Sequence, residues 1–253
     1  WLAALCAYVL KWRREAAASA DWTPIIAADV EPGTDRAAYV PQPLSGEDRQ
    51  QLAHLIAALY EAGIIAPDKP ETEMLIEAVS DVGGEQVDAE TVLAALEEAV
   101  YYHEDFDAAR YLANLRFHAE QVEQFADTIA EQLSDLAALA GAPPLLTLTH
   151  VQCTALAEGT GKVQLMLQAR VGASELAVET PVFSKYLNFA LFVRMARALQ
   201  QAQAPRRVAW WVSDVGVWFT GLAADTDLRA LNHALNCREA QGWQWIDAQE
   251  DDL

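Results

Sequence analysis

The sequence predicts an α+β protein: an acidic helical N-terminal region followed by an antiparallel sheet with helices on one face. Three observations lead there. Apolar residues recur at helical spacing between residues 45 and 139, and beyond Pro144 the period drops to two. The charge follows the same boundary. Of 253 residues, 37 are acidic and 17 basic, a net charge of −20. Residues 45–142 carry 21 acidic and 4 basic side chains, residues 143–253 carry 11 and 9, and the first 44 carry 5 and 4. The chain therefore divides into an N-terminal helix and Pro-rich arm (1–44), an acidic helical region (45–142) and an α+β domain (143–253).

Trp1 to Leu10 is apolar throughout and is followed by Lys11, Trp12, Arg13 and Arg14. Ten such residues are too few for a bilayer, which needs about 20. The basic residues follow the apolar run, the reverse of a signal peptide. A helix packing on the body is the expectation, with the remnant of a membrane helix and its positive flank as the alternative. Pro24, Pro32, Gly33, Pro41 and Pro43 then exclude a long helix from Asp21 to Leu44 and predict an extended arm.

Ser45 with Asp48 three residues on reads as a capping box, and Leu52, Leu55, Ile56 and Leu59 share one face of the helix it opens. Gly63 ends that helix. Helices are expected over Glu71–Val79 and Asp88–Tyr102. From Ala108 to Leu139 the residues Tyr111, Leu115, His118, Val122, Phe125, Ile129, Leu133 and Leu136 form a seam, predicting one long helix that packs on neighbours or on a second copy of the chain. Gly141, Pro143 and Pro144 break it. Strands follow over Leu145–Leu156, Val163–Val171 and Glu175–Phe183, the second a strict alternation of apolar and polar residues. Ser184 opens a helix to about Gln201. Arg207–Ser213 and Val217–Gly221 read as strands, Thr226 caps a last helix ending before Gly242, and Trp243–Ile246 adds a short strand.

The charge and cysteine usage bound the function. A net negative field repels nucleic acid and anionic membranes and speeds encounter with a basic protein. Cys6, Cys153 and Cys237 are odd in number and far apart, fitting neither a disulfide framework nor a zinc site, and point to a reducing, cytoplasmic setting. Ala-rich, Arg-over-Lys usage resembles that of a high-GC bacterial gene.

The order helix, three strands, helix, two strands, helix, over roughly residues 108–240, is similar to that of the small acidic chaperones of type III secretion and their relatives with the same domain. The resemblance implies a dimeric, non-enzymatic protein that binds extended segments of a partner. It rests on element order, and no functional residue is carried over. The acidic helices of 45–107 and the N-terminal arm depart from that pattern.

Candidate chemistry is sparse. Val82 to Glu90 sounds like part of a calcium loop, but Ser80, Val82 and Gly84 stand where carboxylates belong and Thr91 where the bidentate Glu belongs, so a helix connection is the better account. Tyr101 to Asp107 gathers His103, Glu104, Asp105 and Asp107, which could ligate a metal, yet the spacing matches no zinc or di-iron pattern. A solvated helix junction, with Asp105 or Asp107 as a cap, is simpler. His118 sits in the seam as a packing residue. His233 and Cys237, four apart on the last predicted helix, would share a face and form a Cys–His pair. His150 and Cys153, three apart on a strand, face opposite sides. Gly159-Thr160-Gly161-Lys162 leads into a strand, so it reads as a hairpin turn instead of a phosphate loop. Trp210, Trp211 and Trp218 close the survey. Neighbouring Trp210 and Trp211 must point to opposite faces of their strand, so one of them is expected outside the helix-covered core, where tryptophan serves binding, unless another region covers that face.

The sequence thus predicts a non-catalytic protein-binding module, chaperone-like or inhibitor-like, without a cofactor. Its binding candidates are Glu97, Glu98, Glu104, Asp105, Asp107, Trp210, Trp211 and Trp218, and its partner a basic protein. The alternatives are a hydrolase, using a metal at His103, Glu104 and Asp107 or the His233–Cys237 pair, and the soluble domain of a membrane-anchored protein.

Overall fold

The computed structural model describes residues 44–249 except 67–68, 83–86, 103–106, 157–160, 214–215 and 238–241. They belong to one compact unit, Pro41–Leu253. The N-terminal apolar segment and the Pro-rich arm lie outside the described residues.

The described residues open with three helices, α1 (Gly46–Glu61), α2 (Lys69–Val82) and α3 (Ala89–Tyr102). The capping box at α1 is present in both directions, with Ser45 accepting from the Asp48 amide and Asp48 accepting from Ser45. Gly63, at φ +72°, ends the helix in the left-handed region that favours glycine. Asp88 caps α3 by accepting from the Thr91 amide at 2.9 Å. Of the apolar face predicted for α1, Leu52, Leu55 and Leu59 are buried and Ile56 is half-buried, and Val92, Leu93 and Leu96 of α3 are buried.

The expected long helix over Ala108–Leu139 is not one element. A single turn, α4 (Ala108–Tyr111), is followed by strand β1 (Leu115–Ala119) and only then by α5 (Ala126–Leu139). Residues Leu115 to Ala119 have no strong local preference, and the neighbouring strand decides their state. Strand β6 (Gly216–Leu222) is buried along its whole length, so its outer backbone groups need partners that water cannot supply. β1 supplies them, from Leu115 opposite Thr220 to Ala119 opposite Gly216. Asn114 fixes the turn: its Nδ2 donates to Gly63 O and Gly221 O, both at 2.7 Å, while Arg206 Nη1 donates to its Oδ1 and Thr220 Oγ1 donates to its carbonyl. The seam holds within α5, where Ile129, Leu133 and Leu136 are buried, whereas Phe125 at its start is exposed.

After a 3₁₀ turn at Pro143–Leu145 come β2 (Leu146–Ala155), β3 (Lys162–Val171) and β4 (Ser174–Phe183), then α6 (Phe189–Gln201), β5 (Arg207–Val212), β6, α7 (Leu228–Ala234) and the short β7 (Gln244–Trp245). From α5 onward the order is helix, three strands, helix, two strands, helix, as the sequence predicts. Helix α6 starts later than expected because Asn188, not Ser184, caps it, accepting from the Leu191 amide.

The strands form two antiparallel sheets instead of one, in the orders β1-β6-β5-β7 and β2-β3-β4. Nor are the helices confined to one face. Because side chains alternate along a strand, the four-stranded sheet feeds two cores. Trp211, Trp218, Ala209 and Leu222 join the residues of α1–α3 in the first, with Leu235 and Trp243. Trp210, Val208, Val217 and Phe219 join α5, α6 and the three-stranded sheet in the second. The predicted boundary after residue 142 falls between α5 and β2, whose residues pack in that same second core. At the crossing of α5 over β6, a Cβ on Gly221 would lie 1.8 Å from Leu139 O, so only glycine permits this approach.

Candidate functional site

Once their apolar faces are used in the first core, α1–α3 offer solvent a surface of carboxylates. Glu47 and Glu61 of α1 and Glu73 and Glu77 of α2 are exposed, the last pair one turn apart on one face. Glu90 and Glu97 of α3 are half-buried. Among the described side chains of residues 45–112, Arg49 and Arg110 are the only Lys or Arg. Some of the acidic groups also build the helices: Asp48, Asp88 and Asp107 are caps, Asp107 accepting from the Arg110 amide at 3.1 Å. Carboxylates in the first turn of a helix also suit the positive end of its dipole.

The predicted binding residues are dispersed by this arrangement. Glu97 lies half-buried on α3 and Asp107 is exposed at the start of α4. Glu98 is on α3, its side chain outside the description, and His103, Glu104 and Asp105 lie outside the described residues. The tryptophans do point to opposite faces, but none is left uncovered. Trp210, Trp211 and Trp218 are 4, 3 and 2 % exposed. Residues of α1–α3 pack on the second face, where Trp218 also lies 4.8 Å from its cross-strand neighbour Phe117 of β1 and Trp211 is edge-on at 5.8 Å to Trp243, just before β7. Trp210 meets Phe189 edge-on at 5.6 Å in the other core. They hold the cores together and present no exposed anchor.

The His233–Cys237 pair does not form on a shared helix face. Helix α7 stops at Ala234, Asn236 takes a positive φ of 54°, and Cys237 lies past the end, its amide donating to Asn232 O. Burial, and then the nearby Asp88 carboxylate, push its thiol up to about 12. That is the opposite of an activated thiolate. Cys153 is likewise raised by burial. It faces the second core while His150 is exposed on the other side of the sheet, as their spacing requires. Among the described residues no group of three His, Cys, Asp or Glu side chains converges in a way that could hold a metal ion.

One cluster escapes the sequence reading. Asp135 of α5 meets both Arg116 Nε and His118 Nε2 of β1, each at 3.4 Å. The His118 ring packs against Phe192 and Phe219, at 6.3 and 5.6 Å between centroids. Asp135 thereby orients the His118 imidazole between β1 and α5. Arg116 and His118 are two apart, a spacing that shares a face only on a strand.

The three-stranded sheet offers the other open surface. Its inner row packs in the second core, and its outer face exposes Met166 on the central strand and Phe183 at the end of β4. Its edges β2 and β4 pair with no further strand among the described residues. Among the described residues no helix is long and apolar enough to cross a membrane. No protein-family model, curated protein or solved structure matches this chain.

Proposed function

We propose that this chain is a non-catalytic protein-binding module whose acidic helical surface receives a basic partner. The observation that carries this reading is the division of labour on α1–α3, where the apolar faces pack in the first core and the solvent side carries Glu47, Glu61, Glu73 and Glu77. A surface of one sign steers an oppositely charged partner and gives an association that weakens with salt. The three-stranded sheet supports a chaperone-like form of the same role, because an open strand edge can pair with an extended segment. An inhibitor-like form needs the acidic surface alone.

A tagged pull-down from native lysate at low and high salt tests the reading. A basic protein captured at low salt and released at high salt is the expected result. Glu47, Glu61, Glu73 and Glu77 changed together to Lys should abolish its capture while leaving the fold intact, since all four are exposed. Unchanged affinity in that variant would refute the acidic surface as the binding site.

A further inference from the structure

The two edges of the three-stranded sheet are finished differently. β4 exposes Glu175, Glu179 and Pro181 on its outer face, and charge and proline are what keep an edge strand from pairing with its like. β2 has no such guard: residues 146–155 contain no Lys, Arg, Asp, Glu or Pro, in a chain of net charge −20. Its one irregularity is the register shift between Leu148 and His150, after which residues 150–155 pair regularly with β3. The second core is also unfinished along this edge. Leu165, Leu167 and Ala169 of the central strand are fully buried, whereas their cross-strand neighbours Cys153, Val151 and Leu148 on β2 are only half-buried.

We propose that β2 is an interface with a second copy of this chain. The two β2 strands pair antiparallel over residues 150–155, across a two-fold axis normal to the sheet, and join two three-stranded sheets into one. Residues directly opposite in an antiparallel pair share a face, so the axis sets the inner row of each β2 beside that of the other. Val151 and Cys153 of each copy thereby close the open side of the other's second core. Charge selects a second copy at this edge and not at the other. Two chains of net charge −20 repel, and they approach most easily where neither presents a charge. β2 meets that condition, and β4, with Glu175 and Glu179, does not. The carboxylates that bar β4 from self-pairing suit a basic segment, so that edge stays open to the partner of the proposed function. The pairing itself is independent of that function, because the acidic helices α1–α3 pack in the other core.

Sedimentation velocity on the full 253-residue chain tests it. A dimer is expected, and 0.5 M salt, which should release the basic partner, should leave it in place or tighten it, since screening only weakens the repulsion between copies. Gln152→Lys with Thr154→Lys, at exposed positions of the outer face, sets like charges across the pairing and should raise the dimer dissociation constant by roughly tenfold or more. Mixing that variant with Gln152→Glu, Thr154→Glu should restore the dimer. In the unsubstituted chain, alternate backbone amides of residues 150–155 should exchange with deuterium roughly tenfold more slowly in the dimer than in dilute monomer. A chain that stays monomeric overturns the proposal. So does a dimer that dissolves in high salt, ignores the two lysines or leaves those amides unprotected.

Discussion

Adding one methyl group at Gly221 should destabilise the protein by about 3 kcal/mol or more, at or above the upper end of the usual overpacking range. A Cβ there would lie 1.8 Å from Leu139 O and 2.6 Å from the Leu139 carbonyl carbon. Carbon and oxygen in close contact rest at about 3.3 Å, so the end of α5 and strand β6 must part by roughly 1.5 Å. Neither can give as a side chain would. Leu139 is the last residue of α5, and Gly221 sits on a buried strand paired with β1 on one side and β5 on the other. Parting them also strains the 2.7 Å bond from Asn114 Nδ2 to Gly221 O. For a chain of this size, about 3 kcal/mol corresponds to a fall in Tm of roughly 6–12 °C. Thermal and urea unfolding followed by far-ultraviolet circular dichroism would measure it. Gly46→Ala is the control, since nothing lies within 4 Å of a Cβ at that first residue of α1, and it should be neutral or slightly stabilising. If Gly221→Ala unfolds within about 2 °C of the parent chain, backbone approach at this crossing is not what requires glycine, and the reasoning fails.

Two further outcomes follow from single residues. Asn114→Ala should cost about 1–2 kcal/mol, because it removes the donor that the part-buried Gly221 carbonyl shares with the exposed Gly63 carbonyl; Asn114→Asp, which keeps the acceptor for Arg206 but loses the donor, should cost a similar amount in urea unfolding. Cys237 holds its proton more tightly folded than unfolded, so its contribution is complete below the ordinary thiol value of 9.0 and is lost as pH rises from there through about 12. The Tm of the parent relative to Cys237→Ala should therefore stay constant up to pH 8.5 and fall by pH 11, and a pH-independent difference would contradict the burial of that thiol.

Several elements were legible because their signals are local. Ser45 and Asp48 make their capping box from groups three residues apart, and Gly63 ends the same helix through its own backbone. The alternation of β3 appears directly in its burial, with Leu165, Leu167, Ala169 and Val171 inside and Met166, Gln168 and Arg170 outside. The residues of the candidate surface were only partly legible. That carboxylates crowd the helical region is visible in the sequence, but which of them are caps, as Asp88 and Asp107 are, depends on where each helix starts. Glu73 and Glu77 emerge as an exposed pair only once the buried side of α2 is known.

By itself the sequence determined the α+β class, the order of elements from α5 onward, the separation of charge and the opposite facing of Trp210 and Trp211, since each depends on residues close together in the chain. Tertiary structure decided the rest. Leu115 to Ala119 left the expected helix because buried β6 needed a partner for its outer backbone groups, and Asn114, tied to Gly63 and Gly221, could make that turn only when both were in place. Trp211 and Trp218 became core residues because α1–α3 cover the second face of their sheet. Whether a strand face is open or covered is set by what packs on it from far along the chain, and the period of the strand carries no information about that.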